Sequence, residues 1–320
     1  MRIPSSSLGI AALLAATAWG AMFLVSKDVL RHVDPFWFTL IRYSLSALIF
    51  AALLAPRGAA PWRKLRSHAG PLALRGVTGF GVFSVMLLTG LAHSVPSHGA
   101  IIMATTPIST QLLRWVLDGV RPTRTTLLSS ALALAGVVVV SGVLAPSSGD
   151  AASTAWGDAI AFAGTLGWVW YTRGATQFAG QLDVVEYTGL TVLAAWPLLM
   201  LGALGASAIG LAEVPQLQGL QLSWHALLYV GLIPSAFAVL AYNFGVRTLG
   251  TVTGTAFINF VPVSALLMSA GMGKLPSGSE LLGMGMVVGA LLIHTAGSRW
   301  AATPVVAPVR ARADGVCRAS

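Results

Sequence analysis

The sequence predicts an all-α integral membrane protein, with ten transmembrane helices set out as two inverted five-helix repeats. Three observations carry that expectation. Of the 320 residues, 56% are hydrophobic and 9% charged, and the mean hydropathy is +0.79; a soluble domain carries about 25% charged residues. Apolar runs recur along the chain, each near the ~20 residues that cross ~30 Å of hydrocarbon. The third observation is an internal echo. Shifting residues 76–112 forward by 155 positions lays Gly76 on Gly231, Gly90 on Gly245, Gly99 on Gly254, Pro107 on Pro262, Ser109 on Ser264 and Leu112 on Leu267. Glycine and proline shape the backbone, so their coincidence outweighs matching leucines. Earlier in the chain an offset of 149 pairs Trp19 with Trp168, Asp34 with Asp183 and Thr39 with Thr188.

The runs lie at about 8–26, 35–55, 71–92, 98–117, 127–145, 156–173, 185–205, 226–246, 251–272 and 281–298. The first resembles a secretory signal, with Arg2 and the small residues Ala15-Ala16-Thr17-Ala18, but it stays apolar through Val25 and is read as a retained helix. The second ends at Pro56-Arg57-Gly58, and the fifth stops before Pro146-Ser147-Ser148-Gly149-Asp150. Pro107 and Pro262 fall near the centres of the fourth and ninth runs, and Pro234 lies within the eighth. Pro276-Ser277-Gly278-Ser279 precedes the last run, whose Gly285 and Gly289 form a small-xxx-small pair; Gly136 holds a similar place in the fifth. These three glycines read as close-packing positions between helices.

Charge sets the orientation. With the first helix running outward, the cytoplasmic segments hold Arg2, Arg57, Arg63, Lys64, Arg66, Arg75, Arg114, Arg121, Arg124, Arg173, Arg247, Arg299, Arg310, Arg312 and Arg318, 15 of the 19 basic residues. The outer segments 146–155 and 206–225 hold none. Lys and Arg are retained on the cytoplasmic side, so both termini belong there and the number of crossings is even. Five helices per half then makes the repeat inverted. Residues 8–145 form the first repeat and 156–298 the second, and 299–320 read as a disordered cytoplasmic tail. The formal charge of +9 is accounted for by these basic loops, so nucleic acid is not an expected partner.

An internal repeat in so apolar a chain points to a transporter, with solute between the related halves. Arg42, about seven residues inside the second run, is the sharpest candidate. A mid-membrane arginine costs at least ~2.5–3.5 kcal/mol and faces a partner or a wet cavity. It captures a solute carboxylate, or it ties neighbouring carbonyls and snorkels outward. Prolines 107, 234 and 262 are candidate kinks that free carbonyls along a path. Around them gather Thr105, Thr106 and Gln111, Tyr242 and Asn243, and Asn259, with Trp19, Trp168, Trp170 and Tyr171 supplying aromatic surface. The candidate solute-binding set is Trp19, Arg42, Thr105, Thr106, Trp168, Tyr171, Tyr242, Asn243 and Asn259. Helix–helix hydrogen bonds and interfacial aromatic belts are the structural alternatives.

Asp118, Asp158, Glu186 and Glu280 all fall at helix ends, which disfavours a proton antiporter built on a buried acid. His98 and His294 lie near span ends. There is no HExxH, phosphate-binding loop or GxGxxG, so no catalytic centre, metal or cofactor is expected. The single cysteine, Cys317, rules out an internal disulfide.

The ordered series Trp19-Gly20, Phe23, Lys27, Pro35, Arg42, Gly99 through Pro107, Gly136, Gly157-Asp158, Trp168, Gly254 through Pro262 and Gly289 resembles the EamA (RhaT-like) family of the drug/metabolite transporter superfamily. The resemblance covers about residues 8–298. One departure is Asp118, where that family usually has a glutamate after the fourth helix. The resemblance implies a plasma-membrane carrier, commonly an exporter of amino acids or small metabolites. It places a central cavity among the first, third, fourth, sixth, eighth and ninth helices, and it favours a general structural or gating role for Arg42. The expected partners are a small-molecule solute and the lipid bilayer of a bacterial inner membrane; homo-oligomers are possible but not indicated. A drug efflux carrier and a non-transporting membrane scaffold are the alternatives.

Overall fold

A computed structural model of the chain describes residues 5–17, 19–93, 102–103, 106–141, 151–261, 263–264, 270–271 and 277–300. Every regular element among these is helical. In chain order they are α1 (Ser5–Ala16), α2 (Trp19–Val29), α3 (Pro35–Leu54), α4 (Ala60–Ser67), α5 (Ala69–Gly76), α6 (Phe83–His93) and α7 (Thr106–Asp118). There follow α8 (Arg124–Ser141), α9 (Ala151–Gln177), α10 (Val184–Ala208), α11 (Leu217–Leu232), α12 (Ala238–Leu249), α13 (Thr251–Ile258) and α14 (Gly278–Trp300). Among the described residues, four helical rods are long and apolar enough to cross a membrane: Pro35–Arg57, Ala69–His93, Val184–Ala208 and Leu217–Leu249. Leucines 48, 128 and 201 point outward, 69%, 69% and 62% exposed, as side chains facing lipid tails do. This is a multi-pass membrane protein.

Several bounds differ from the hydropathy reading. The first run divides into α1 and α2 at Thr17, whose carbonyl accepts the Ser264 hydroxyl at 2.6 Å. The supposed outer segment 206–225 is partly helical, because α11 begins at Leu217; its first turns carry Gln218, Gln221 and Ser223, which lower hydropathy without breaking the backbone ladder. α9 likewise starts at Ala151 rather than 156. The short amphipathic α4 between the second and third runs was not anticipated, since hydropathy searches for spans pass over it. The tail 301–320, together with Thr105, Pro262 and His98, lies outside the described residues.

The sequence echo recurs in the packing. Asp34 and Asp183, paired at offset 149, both cap spans: Asp34 accepts the Phe36 N–H, and Asp183 forms a capping box with Glu186. Two π-helical segments, Val77–Val82 and Ile233–Phe237, join α5 to α6 and α11 to α12. The 155-residue shift lays one on the other. The paired glycines make exchanged contacts. A Cβ on Gly90 would stand 2.6 Å from the Gly157 carbonyl and 2.7 Å from Ala161 Cβ, on α9; one on Gly245 would stand 2.3 Å from Leu13 Cγ, on α1. Gly76 presses on Thr191 and Ala195 of α10, while Gly231 presses on Leu45 of α3.

The small-residue pair of the last run does not pack as expected. Among the described residues, a Cβ at Gly285 or Gly289 would meet nothing within 4 Å, whereas one at Gly136 would meet the Gly283 carbonyl at 2.7 Å. At 100° per residue, Gly285 lies about 200° around α14 from Gly283, on the far face. The buried stripe is Gly283, Val287, Ala290 and His294.

Candidate functional site

Between the two halves, α2, α3, α6, α9 and α12 enclose a pocket whose walls include Trp19, Met22, Arg42, Tyr43, Phe83 and Trp168. Trp19 and Trp168, partners under the 149 offset, touch edge to face at 5.3 Å and 89°. Tyr242 packs against both indoles at 5.3 and 5.4 Å, and Phe83 tilts onto Trp168 at 5.3 Å. The Trp19 indole N–H donates to the Pro234 carbonyl at 2.8 Å. That carbonyl belongs to the second π-helical segment, where carbonyls tilt off the regular ladder and become available to side chains. The enclosed volume is about 40 Å³, little more than the ~30 Å³ share of one liquid water.

Arg42 forms part of this wall and is only 3% exposed. Its guanidinium donates to the Tyr43 hydroxyl at 2.8 Å and the Ser84 hydroxyl at 3.2 Å, and approaches Met22 Sδ at 3.5 Å. It also lies over the Tyr43 ring at 4.6 Å. All of these partners are neutral, and Nε has none among the described residues. Tyr43, Ser84 and Met22 were missed by sequence reasoning: Ser84 and Met22 sit in apolar runs with no polar neighbour, and Tyr43 follows Arg42 in the chain with nothing to show that its hydroxyl turns back to the guanidinium.

The other candidates separate into layers. Tyr171 is one turn along α9 from Trp168, and its hydroxyl accepts the Asn243 amide at 2.5 Å. Asn243 also donates to Thr188 at 2.9 Å, so it ties α9, α10 and α12 together behind the pocket. Thr106 and Asn259 are buried, with Oγ1 and Oδ1 unpartnered among the described residues, and neither lines the pocket. Pro107 is a buried residue of α7, and the stretch just before that helix, residues 104–105, lies outside the described residues. Pro197, inside α10, is a mid-helix proline that the sequence reading passed over.

Beyond Tyr171 the molecule becomes basic. Arg57 pairs with Asp183 at 2.5 Å, Lys64 with the buried Glu186 at 2.7 Å, and Arg173 with Asp118. Arg75 donates to the Trp170 carbonyl at 2.8 Å, and Arg247 to the Ala175 carbonyl at 2.8 Å. Burial alone would raise the Asp183 carboxyl, but the Glu186 N–H and the Arg57 guanidinium hold it below the usual carboxylate range. Three ion pairs thus join first-half cations or acids to second-half partners at one end of the bundle. Asp118, despite being an aspartate, reaches its arginine.

This arrangement has relatives. A solved crystal structure matches 93% of this chain and 99% of its own at a TM-score of 0.72 and 22% identity, which speaks to the fold alone. The uncharacterized transporter YrdR of Bacillus subtilis (strain 168) is 28% identical over 289 residues, 88% of this chain and 89% of its own. The uncharacterized inner membrane transporter YedA of Escherichia coli (strain K12) is 27% identical over 91% of this chain and 92% of its own. A protein of Streptantibioticus cattleyicolor named "Probable terminal-alkyne amino-acid exporter" is 27% identical over 89% of this chain and 92% of its own. The model of the EamA-like transporter family matches twice, over residues 7–142 and 155–296. With the aromatic pocket set between those two matched halves, the chain belongs to the EamA-like transporter family.

Proposed function

We propose that the protein is a ten-span secondary carrier that exports small carboxylate-bearing metabolites, amino acids foremost, across the bacterial inner membrane. Arg42 carries this reading. It is a cation buried on the wall of an aromatic pocket with only neutral partners. A solute carboxylate supplies the missing counter-charge, and the guanidinium fork suits bidentate pairing. The rings of Trp19, Phe83 and Trp168 take the carbon skeleton, with Tyr242 packed against the two indoles. The amino-acid exporter among the relatives supports that solute class by analogy.

The pocket, at about 40 Å³, is closed to an amino acid, so the halves must part to load it. The two π-helical segments beside it are the places where these helices bend. The exchanged glycine contacts support two inverted five-helix repeats over 8–145 and 156–298, rocking about the pocket with both termini cytoplasmic. The aromatic part of the lining would also admit an apolar drug, but Arg42 argues against a cationic one. Chemistry on the solute is not part of this reading.

The test is flux in proteoliposomes over a panel of amino acids and carboxylic metabolites, with and without a proton gradient. Flux above empty liposomes, lost in Trp168→Ala, is expected. A folded protein that leaves every solute at the empty-liposome rate defeats the proposal.

A further inference from the structure

A second cavity, of about 250 Å³, opens near the basic end between α7, the loop Gly119–Thr123, α8, α13 and α14. It shares no lining residue with the aromatic pocket. Two of its residues are buried and carry polar groups without hydrogen-bond partners among the described residues. Gln111 is 4% exposed with Nε2 unpartnered, and His294 is 5% exposed with Nε2 unpartnered. The other ring nitrogen of His294 faces the Ser129 hydroxyl at 3.4 Å, which leaves Nε2 for the cavity. Arg114 and Arg121 stand on the same wall, with the hydroxyl residues Thr123, Thr126 and Thr253. No carboxylate lines it. The nearest acid along α7, Asp118, pairs with Arg173.

Buried amide and imidazole nitrogens are left unpaired where something else is to complete them. Here the completing group must accept hydrogen bonds and answer two guanidinium charges, while Val120, Pro122 and Val252 offer carbon surface. Inorganic ions have no use for that apolar wall. The volume equals about eight waters at ~30 Å³ each, room for a solute of a similar number of heavy atoms. We propose that this cavity binds a small organic carboxylate, with Gln111 as its buried donor and Arg114 and Arg121 as its charge partners. Gln111 lies five residues along α7 from Thr106, roughly 7.5 Å at 1.5 Å per residue. Met103, three residues before Thr106 in the chain, lines the aromatic pocket, so the site is a station from which solute passes along α7 to that pocket. That passage rests on the carrier reading, whereas the binding does not.

The experiment is calorimetric titration of benzoate into the purified full-length chain, in the wild type and in Arg42→Gln, which removes the charge of the aromatic pocket. In both, Gln111→Leu or Arg114→Gln should weaken benzoate by roughly tenfold or more, as loss of a charge-assisted contact does. Arg121→Gln, at an exposed position, gives the same direction without disturbing a buried side chain, and melting temperatures certify each variant as folded. Neutral benzamide should not compete. Benzoate binding that ignores Arg114→Gln and Arg121→Gln together, or that vanishes in Arg42→Gln alone, overturns the site. So does binding of inorganic phosphate in place of benzoate, or no benzoate binding at all. If Gln111-dependent binding persists in a protein that moves no solute, the site stands and the carrier reading falls.

Discussion

Replacing Arg42 by glutamine separates a solute-binding role from a structural one. The substitution removes the charge and the fork and leaves a shorter, neutral amide in their place. If a carboxylate docks on the guanidinium, the lost charge-assisted hydrogen bonds are worth about 1.5–3 kcal/mol. At ~1.4 kcal/mol per decade that is roughly a 10- to 150-fold rise in KM for transport. The effect on folding is smaller, because two terms oppose each other. The folded protein loses donors to Tyr43 at 2.8 Å and Ser84 at 3.2 Å, but it also sheds an arginine whose placement costs at least ~2.5–3.5 kcal/mol on insertion scales. These nearly cancel, so the melting temperature should move by only a few degrees, at about 2–4 °C per kcal/mol for a chain of this size. Arg42→Lys keeps the charge without the fork and should fall between. The assay is counterflow of the best solute in proteoliposomes, alongside melting curves in detergent. A wild-type KM in Arg42→Gln, or a collapse of stability that precedes any measurable binding, would mean the arginine is structural.

Three further outcomes follow from the packing and the capping. Gly90→Val forces a side chain toward the Gly157 carbonyl, 2.6 Å from the new Cβ, and should cost about 1–3 kcal/mol. Gly245→Val should cost a similar amount, while Gly202→Ala, with nothing within 4 Å, should leave melting unchanged or slightly higher; equal effects at all three would refute the close contacts. Asn243→Leu removes the donors to Tyr171 and Thr188 and leaves a buried hydroxyl, for an expected loss of about 1–3 kcal/mol in thermal unfolding. Because the Asp183 carboxyl is held below its ordinary range, its stabilisation is fully present above the unfolded carboxylate value. It drains away as pH falls through the depressed one. The change is modest, since the side chain is 53% exposed; melting temperatures on acidification should fall less in Asp183→Asn than in the wild type, and identical slopes would count against it.

Hydropathy located two of the four candidate spans closely, because membrane thickness dictates both the length and the composition of a crossing helix. The run at 35–55 is the helix Pro35–Leu54, and 185–205 lies inside Val184–Ala208. What it missed is held by contacts instead. The π-helical segment Val77–Val82 leaves no mark in composition; within it Gly79 admits the Tyr171 side chain, whose ring Cγ lies 2.6 Å from where a Cβ would stand. The face that packs α8 on α14 passes through Gly283 and not through the more conspicuous Gly285 and Gly289. The second cavity draws Gln111 and His294 from opposite halves of the sequence, a meeting that no local pattern encodes.

The pocket itself was partly legible, and the reason lies in which residues the repeat duplicates. Trp19 and Trp168 are aligned partners, and they meet in space at 5.3 Å. Arg42 and Thr191 are aligned partners too, yet their fates differ. The Thr191 hydroxyl turns back to its own helix and donates to the Tyr187 carbonyl at 2.6 Å, so that position asks nothing of its surroundings. Arg42 is too long and carries too much charge to be satisfied that way, and it reaches instead to Tyr43, Ser84 and the pocket. Alignment alone marks the pair as unlike without saying which member faces the cavity. The side-chain chemistry decides: a hydroxyl can be quieted by one backbone carbonyl, whereas a guanidinium with neutral neighbours still has a charge to answer. The wall therefore combines two aromatic rings that the sequence echo pairs with one cation that it does not.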